Sequence, residues 1–518
     1  MNELNKTFAF VGVALALTGT AVLATWPRDR AVEAFSDQGQ PFFPSFKDPR
    51  EATALEVVDF DEPTAEARAF KVMLKDGKWV IPSHNDYPAD AKDRLAKTAA
   101  GVIDLKKDVI VSDSPDTYES LGVIDPLDKK ATSLKGRGKR VTLKNKSGEV
   151  LADFVIGKEV PNRPGQRYVR VPDVAQKRTY AVNVNVDLST RFADWIETNL
   201  LKLDASRLRK VTFDNHKVDP ERGTVERGDL LTIERPDSAG QWTLAGGLPA
   251  DQEVNPDKVS GLSTALGDLK IVGVRPKPPG LTQELKASTE KGISLTRDMA
   301  RSLAGRGFYL VQDGLLSNQG DVIVTTDEGI VYVLRFGEVT FASGEALSAG
   351  AEDSAASKAD AKGKDKDKKD EGSVESRYLF VTARFDRALI PEPKAEAKPK
   401  DKDPSGFPDD AFQRTPQERA DKEKADKEKA DREKADFERK VADGQKRAKE
   451  LTDRFAAWYY VVPGDAFRSV VLDRAALVRK KSDTKPPAGP GAFPSFPGAP
   501  GGFPPPSGPG GFSSPPTP

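Results

Sequence analysis

Four short blocks recur in the same order along this chain, and that order constrains the fold more than composition does. "KDGKWVI", ending at Ile81, resembles "SAGQWTL", ending at Leu244; each precedes a "PAD" and a helical stretch. "SGEVLADFVIGKE" around Gly148 resembles "DEGIVYVLRFGEV" around Gly329, and "QRYVRV" around Tyr168 resembles "SRYLFV" around Tyr378. "RFADW", from Arg191 to Trp195, resembles "RFAAW", from Arg454 to Trp458. Of the five tryptophans, all but Trp26 fall into these pairs: Trp79 with Trp242 and Trp195 with Trp458. Ordered self-similarity is the mark of tandem copies of one supersecondary unit, the alternative being chance punctuation shared by similar βα segments.

The Arg-Phe-Ala-x-Trp blocks are expected to start short helices. Phe192 and Trp195, like Phe455 and Trp458, are three residues apart and would share one helical face, pinned into the core behind Arg191 and Arg454. Core packing is the expected role of both tryptophans rather than ligand binding.

Each copy reads as mixed α and β. "FKVML" and "KWVI" alternate like paired strands joined by Asp76-Gly77, a hairpin turn signal. "PADAKDRLAKTAAGVIDLKK" follows as an amphipathic helix with Leu95, Ala99, Val102 and Ile103 near one face. Strands in runs with occasional helices predict an α+β fold: an N-terminal transmembrane helix followed by two tandem mixed repeats. The expected boundaries are an anchor over residues 1–27, a linker over 28–52, a first repeat over 53–207 and a second over 208–480. A Pro/Gly/Phe-rich tail over 481–518 is expected to be disordered.

The second copy carries two polar expansions. One, at about residues 346–375, is expected to be a disordered loop, because "AEDSAASKADAKGKDKDKKDEG" has too little apolar surface to fold. The other, at about residues 391–450, reads as a charged helix, with Thr415 as N-cap, Pro416 at the first helical position and Glu418 completing a capping box. Glu428 and Arg432 are a four-residue pair in the favourable orientation. Ala420, Ala425, Ala430 and Ala435 recur every five residues, which walks around a helix and does not make a coiled-coil stripe.

The uncharged run from Phe8 to Thr25 is eighteen residues and would span about 27 Å as a helix, close to the roughly 30 Å hydrocarbon core of a bilayer. Trp26, Arg28 and Arg30 follow it as interfacial residues. A retained membrane anchor fits this pattern; a cleaved signal peptide ending near Val22-Leu23-Ala24 competes with it.

Chemistry is sparse. The 518 residues contain no cysteine, which excludes disulfides, thiolate nucleophiles and a lipidated bacterial lipobox. Lys plus Arg and Asp plus Glu are both 80, so no global field points to nucleic acid. Only two histidines occur, His84 and His216. His84 lies near Asp86 and Asp90, but Asn and Asp there read as turn and cap residues. Ser288 to Lys291 has S-x-x-K spacing without its companion motifs. No catalytic residue, metal set or cofactor site is therefore read from the sequence.

The N-terminal anchor, "GKWVIP…PADAKDRLAKTAAGVIDLKKDVIV", "YESLGVIDP" and "RFADW" together resemble the bacterial family called domain of unknown function 4340. The resemblance covers Leu55 to Phe213, and Leu231 to Arg474 more loosely. It implies a single-pass protein of the bacterial inner membrane, its large domain extracytoplasmic, bound to the lipid bilayer through residues 8–25. It further implies an accessory role beside the permease and ATPase subunits of a gliding-type ABC transporter, and it supplies no catalytic residues. A standalone binding module for peptide or polysaccharide, and an envelope hydrolase, are the other function classes.

Overall fold

The computed structural model describes residues 37–481 except 64, 173–176, 187, 220–221, 223, 289–293, 312–313, 343, 351–374 and 394–415; it also describes Ala14, Leu17 and Thr18. Most of the polar loop expected at 346–375, the tail from 482 and the Thr415 cap lie outside these residues. Among the described residues no helix is long and apolar enough to cross a membrane. The expected anchor lies outside them, except that Ala14, Leu17 and Thr18 are helical.

The described chain is α+β and its two large sheets are antiparallel throughout. The first contains β1 (Ala54–Asp61), β2 (Glu66–Lys75), β3 (Lys78–Ile81), β4 (Tyr87–Pro88), β5 (Val109–Ser112), β6 (Lys139–Lys144), β7 (Val150–Glu159), β8 (Gln166–Arg170) and β9 (Thr179–Asn183). The second contains β10 (Leu208–Asp214), β11 (Leu230–Glu234), β12 (Thr243–Leu244), β13 (Gly273–Pro276), β14 (Asp321–Thr326), β15 (Ile330–Thr340), β16 (Ser376–Phe385) and β17 (Trp458–Pro463). The first sheet runs β4-β3-β2-β1-β6-β7-β8-β9-β5 and the second β12-β11-β10-β14-β15-β16-β17-β13. Apart from β4, the two orders coincide strand for strand.

Register extends the match to single residues. Leu74 faces Trp79 across β2 and β3. Counting one position past the Glu234–Thr243 pair places Arg235 opposite Trp242 in the same way. Both sheets also break register at the same place, between Ile156 and Glu159 in β7 and between Phe336 and Val339 in β15. Bulges of this kind re-aim a strand and increase its twist.

Local sequence explains these elements. Asp76 and Gly77 both have positive φ, as a two-residue I′ hairpin requires. Helix α1 (Lys92–Ile103) buries Leu95, Ala99 and Val102, the expected face, and leaves Ile103 half-buried. Helix α2 (Pro256–Gly267) buries Val259, Leu262 and Leu266 and is capped by the Asn255 side chain. Asp104-Leu105-Lys106 and Asp268-Leu269-Lys270 follow the two helices in identical sequence, and both leucines are buried.

Three expectations are corrected. The linker over 28–52 contains core: Phe42 and Phe46 are buried, and Asp48 caps the 3-10 turn Pro49–Glu51. Phe42 N–H donates to Leu105 O at 3.1 Å, and Leu200 N–H donates to Leu269 O at 2.8 Å. Each structural unit therefore opens with such a lead-in, and residues from about 199 pack with the second unit, not the first.

The charged helix is α3 (Pro416–Phe455), longer at its C-terminus than the expected 450. Its five-residue alanine period ends where Phe437, Val441, Gly444, Ala448, Leu451 and Phe455 begin, spaced alternately by four and three. All six are buried or half-buried. That narrow stripe lays the last turns against the second sheet, where Thr452 Oγ1 donates to Ala383 O at 3.0 Å.

Finally, "RFADW" and "RFAAW" are not counterparts. Phe192–Trp195 is a 3-10 turn after β9, whereas Arg454 and Phe455 end α3 and Trp458 opens β17. Tyr168 faces Ala181 and Tyr378 faces Val461, so Trp458 occupies the position of Arg178. A five-residue match cannot outweigh the hydrogen-bond register of two sheets.

Candidate functional site

The two units share one continuous core, and the aromatics of the look-alike blocks sit at the join. Tyr87 of the first unit meets Trp458 of the second edge-on, with ring centroids 5.0 Å apart. Arg454 donates to the carbonyls of Glu197 and Asn199 at 3.0 and 2.8 Å, clamping the connector. Asp90 N–H donates to Trp195 O at 2.8 Å, which ties the start of α1 to the 3-10 turn. Trp195 is fully buried, whereas Trp79, Trp242 and Trp458 are half-buried.

Beside this join lies a cleft of about 580 Å³, within the range of roughly 300–1,000 Å³ usual for ligand sites. Its first-unit walls come from the ends of β1 and β2, from the turn Pro82–His84 and from Thr190–Ala193. The second unit contributes Val272 and the short helix Gly344–Ser348. That helix is held down by Arg275 of β13, whose buried guanidinium donates to the carbonyls of Ala346 and Leu347 at 2.8 and 3.0 Å. Arg191 and Phe192 line the cleft; Arg454, Phe455 and Trp458 do not.

His84 joins the two walls. Its Nδ1 is 2.9 Å from Ser83 Oγ and its Nε2 is 2.9 Å from Ser348 Oγ. Its ring stacks on Phe192 at 4.2 Å, with planes 3° apart. Burial, reinforced by the nearby Arg275 charge, lowers its pKa from 6.5 to about 4. The imidazole is therefore neutral near pH 7, with one nitrogen donating and one accepting. Neither Asp86 nor Asp90 bonds to the ring, whose two nitrogens face Ser83 and Ser348; Asp86 instead pairs with Lys75 at 2.7 Å. Among the described residues no group of three His, Asp or Glu could hold a metal ion.

The rim charges other than the exposed Glu345 are paired. Arg68 bridges Asp61 at 2.7 Å, Lys139 bridges Asp59 at 3.1 Å, and Arg191 lies 3.4 Å from Asp194. Phe60, packed under the Arg137 guanidinium at 4.7 Å, and Phe70 supply an apolar wall. The other candidates stand elsewhere. His216 is buried against Ser317 O at 3.0 Å, and Ser288 is followed by residues outside the described set.

Residues 79–287 match the family model described as Domain of unknown function (DUF4340). This segment belongs to that family. No curated protein and no solved structure matches the chain. The DUF4340 segment starts at Trp79, crosses the join between the two units and ends before Ser348. It thus holds His84, Ser83, Arg191, Phe192 and Val272, while the cleft residues of β1 and β2 precede it and the helix Gly344–Ser348 follows it.

Sequence reasoning located His84 and the motif containing Phe192 but not their meeting. The contact between His84 and Ser348 joins positions 264 residues apart, and neither has a local signature.

Protonation of His84 predicts a pH dependence. Its folded pKa lies below the unfolded value, so the folded state binds fewer protons between about pH 4 and 6.5. Stability is therefore expected to fall as pH drops through that window and to level off below it. Urea midpoints at pH 7 and pH 4 check this: wild type should lose more than His84→Gln over the same interval.

Proposed function

We propose that this is a non-enzymatic accessory protein of the bacterial cell envelope, anchored in the inner membrane through residues 8–25, with its large domain extracytoplasmic. It acts beside the permease and ATPase subunits of a gliding-type ABC transport assembly. The family resemblance motivates the partner. The setting of His84 favours binding over catalysis, because an imidazole with a pKa near 4 is poorly matched to acid–base work near neutrality. The common strand order of the two sheets supports tandem duplication of one unit, and their continuous core supports one two-unit body suited to presenting a surface.

Affinity purification of the tagged full-length protein from gently solubilised membranes tests this reading. ABC permease and ATPase subunits should be recovered with the wild type and lost when residues 1–27 or either unit is deleted. Recovery of the protein alone at matched expression contradicts it. A second reading, a standalone binding module for peptide or polysaccharide, is favoured by the cleft at the join.

A further inference from the structure

The two units act as controls for one another. Where both share a feature, the common fold explains it; where one departs, something else must. Counting from the matched tryptophans Trp79 and Trp242, Ser83 and His84 occupy the positions of Gly246 and Gly247. The repeated fold therefore forms without a buried imidazole at this point. The helix Gly344–Ser348 is likewise peculiar to the second unit: it lies in the long link between β15 and β16, whereas β7 and β8 are joined by residues 160–165 alone. These two departures come from opposite units, yet they meet in one hydrogen bond between His84 and Ser348 on the wall of the cleft.

We propose that this cleft binds a short neutral saccharide, an inference that rests on the binding-module reading. A neutral imidazole between two hydroxyls forms a reversible relay. In one tautomer Ser83 receives a hydrogen bond from the ring and Ser348 gives one; in the other the roles exchange. The hydroxyl that receives keeps its own proton to give to a ligand. The hydroxyl that gives keeps a lone pair to accept with. Ligand hydroxyl groups, which also donate and accept, match either setting.

The rim disfavours anions and offers a cation only the exposed Glu345. An anionic ligand would have to compete with Asp61 for Arg68 and with Asp194 for Arg191, and a cationic one with Lys139 for Asp59. The Arg68 and Arg191 guanidiniums each carry several N–H groups in a planar array, a geometry that suits adjacent ring hydroxyls. Phe60, half-buried on the cleft wall, supplies apolar contact for the C–H side of a pyranose ring. The volume of about 580 Å³ suits a ligand of small-molecule size, with one end of a chain left outside.

The test is titration calorimetry on the full chain in a detergent without a sugar headgroup. The probes are neutral trisaccharides built on glucose, galactose, mannose and N-acetylglucosamine units, with an acidic and a basic tripeptide alongside. One trisaccharide should bind at one site per chain, weakened about 3- to 10-fold by Ser348→Ala and by Ser83→Ala separately. Each substitution also leaves a nitrogen of the buried His84 ring without its partner, so a modest drop in melting temperature is expected, and the titrations are run well below the melting temperature of each variant. Saccharide binding that neither substitution changes overturns the proposal. Tripeptide binding that depends on these serines overturns the saccharide assignment and leaves the binding-module reading standing. Binding of no probe removes both, whereas the transporter-accessory reading is decided separately by co-purification.

Discussion

Replacing Trp195 with alanine is expected to cost about 3–5 kcal/mol, the range for truncating a large buried aromatic. The side chain is fully buried, with its Nε1–H donating to Ser189 O at 2.9 Å. Phe70 lies at 5.8 Å between centroids, and the Arg94 guanidinium stands 5.0 Å from the ring. Truncation would open a cavity and leave that carbonyl and guanidinium without the indole. Trp458→Ala should cost clearly less, because that indole is half-buried and its main partner is the edge of Tyr87. Denaturant unfolding of the two variants measures the difference. Equal losses would mean that the two Arg-Phe-Ala-x-Trp blocks serve one structural role after all.

Gly157→Ala and Gly337→Ala are the second pair with large effects. Both glycines sit in the matching bulges of β7 and β15. A Cβ on Gly157 would lie 2.4 Å from Leu121 O, and one on Gly337 would lie 2.3 Å from Arg306 O and 2.6 Å from the Phe308 ring. Backbone carbonyls cannot swing aside as a side-chain tip can, so each substitution must shift a strand or the segment crossing it. Overpacking of this kind costs about 1–3 kcal/mol. Gly261→Ala on α2 is the control: a Cβ there meets nothing within 4 Å. It should stabilise by about 0.5–1 kcal/mol through helix propensity. Losses at both bulges beside a gain at Gly261, read from urea midpoints, are the expected pattern.

Much of the fold was legible because it is written in local chemistry. Asp76-Gly77 marks its hairpin by the backbone twist it permits, and the apolar spacing of Leu95, Ala99 and Val102 marks the buried face of α1. The matched tryptophans Trp79 and Trp242 were legible as well, since both sit where a turn delivers a short strand to a sheet.

What stayed hidden was decided by partners distant in sequence. Phe42 and Phe46 lie in a stretch without periodicity, and only the carbonyl of Leu105 and the core behind it order that lead-in. "RFAAW" imitated "RFADW" because a helix terminus and a 3-10 turn can use the same residues. The stripe from Phe437 to Phe455 was readable in principle; the louder alanine period before it obscured the change from five to alternating four and three. The cleft could not be read, because the contact that closes it, between His84 and Ser348, joins points where the units cease to resemble each other.

Site-directed photocrosslinking in living cells tests most directly whether that cleft is where this protein binds. A photoreactive phenylalanine analogue would replace Glu345 on the cleft wall, with a second variant carrying it at Gly246, the second unit's counterpart of Ser83. A covalent adduct at 345, absent at 246 and reduced by Ser348→Ala, is the predicted result. Equal labelling at the two positions, or adducts at 246 alone, would contradict the assignment of function to the join between the units.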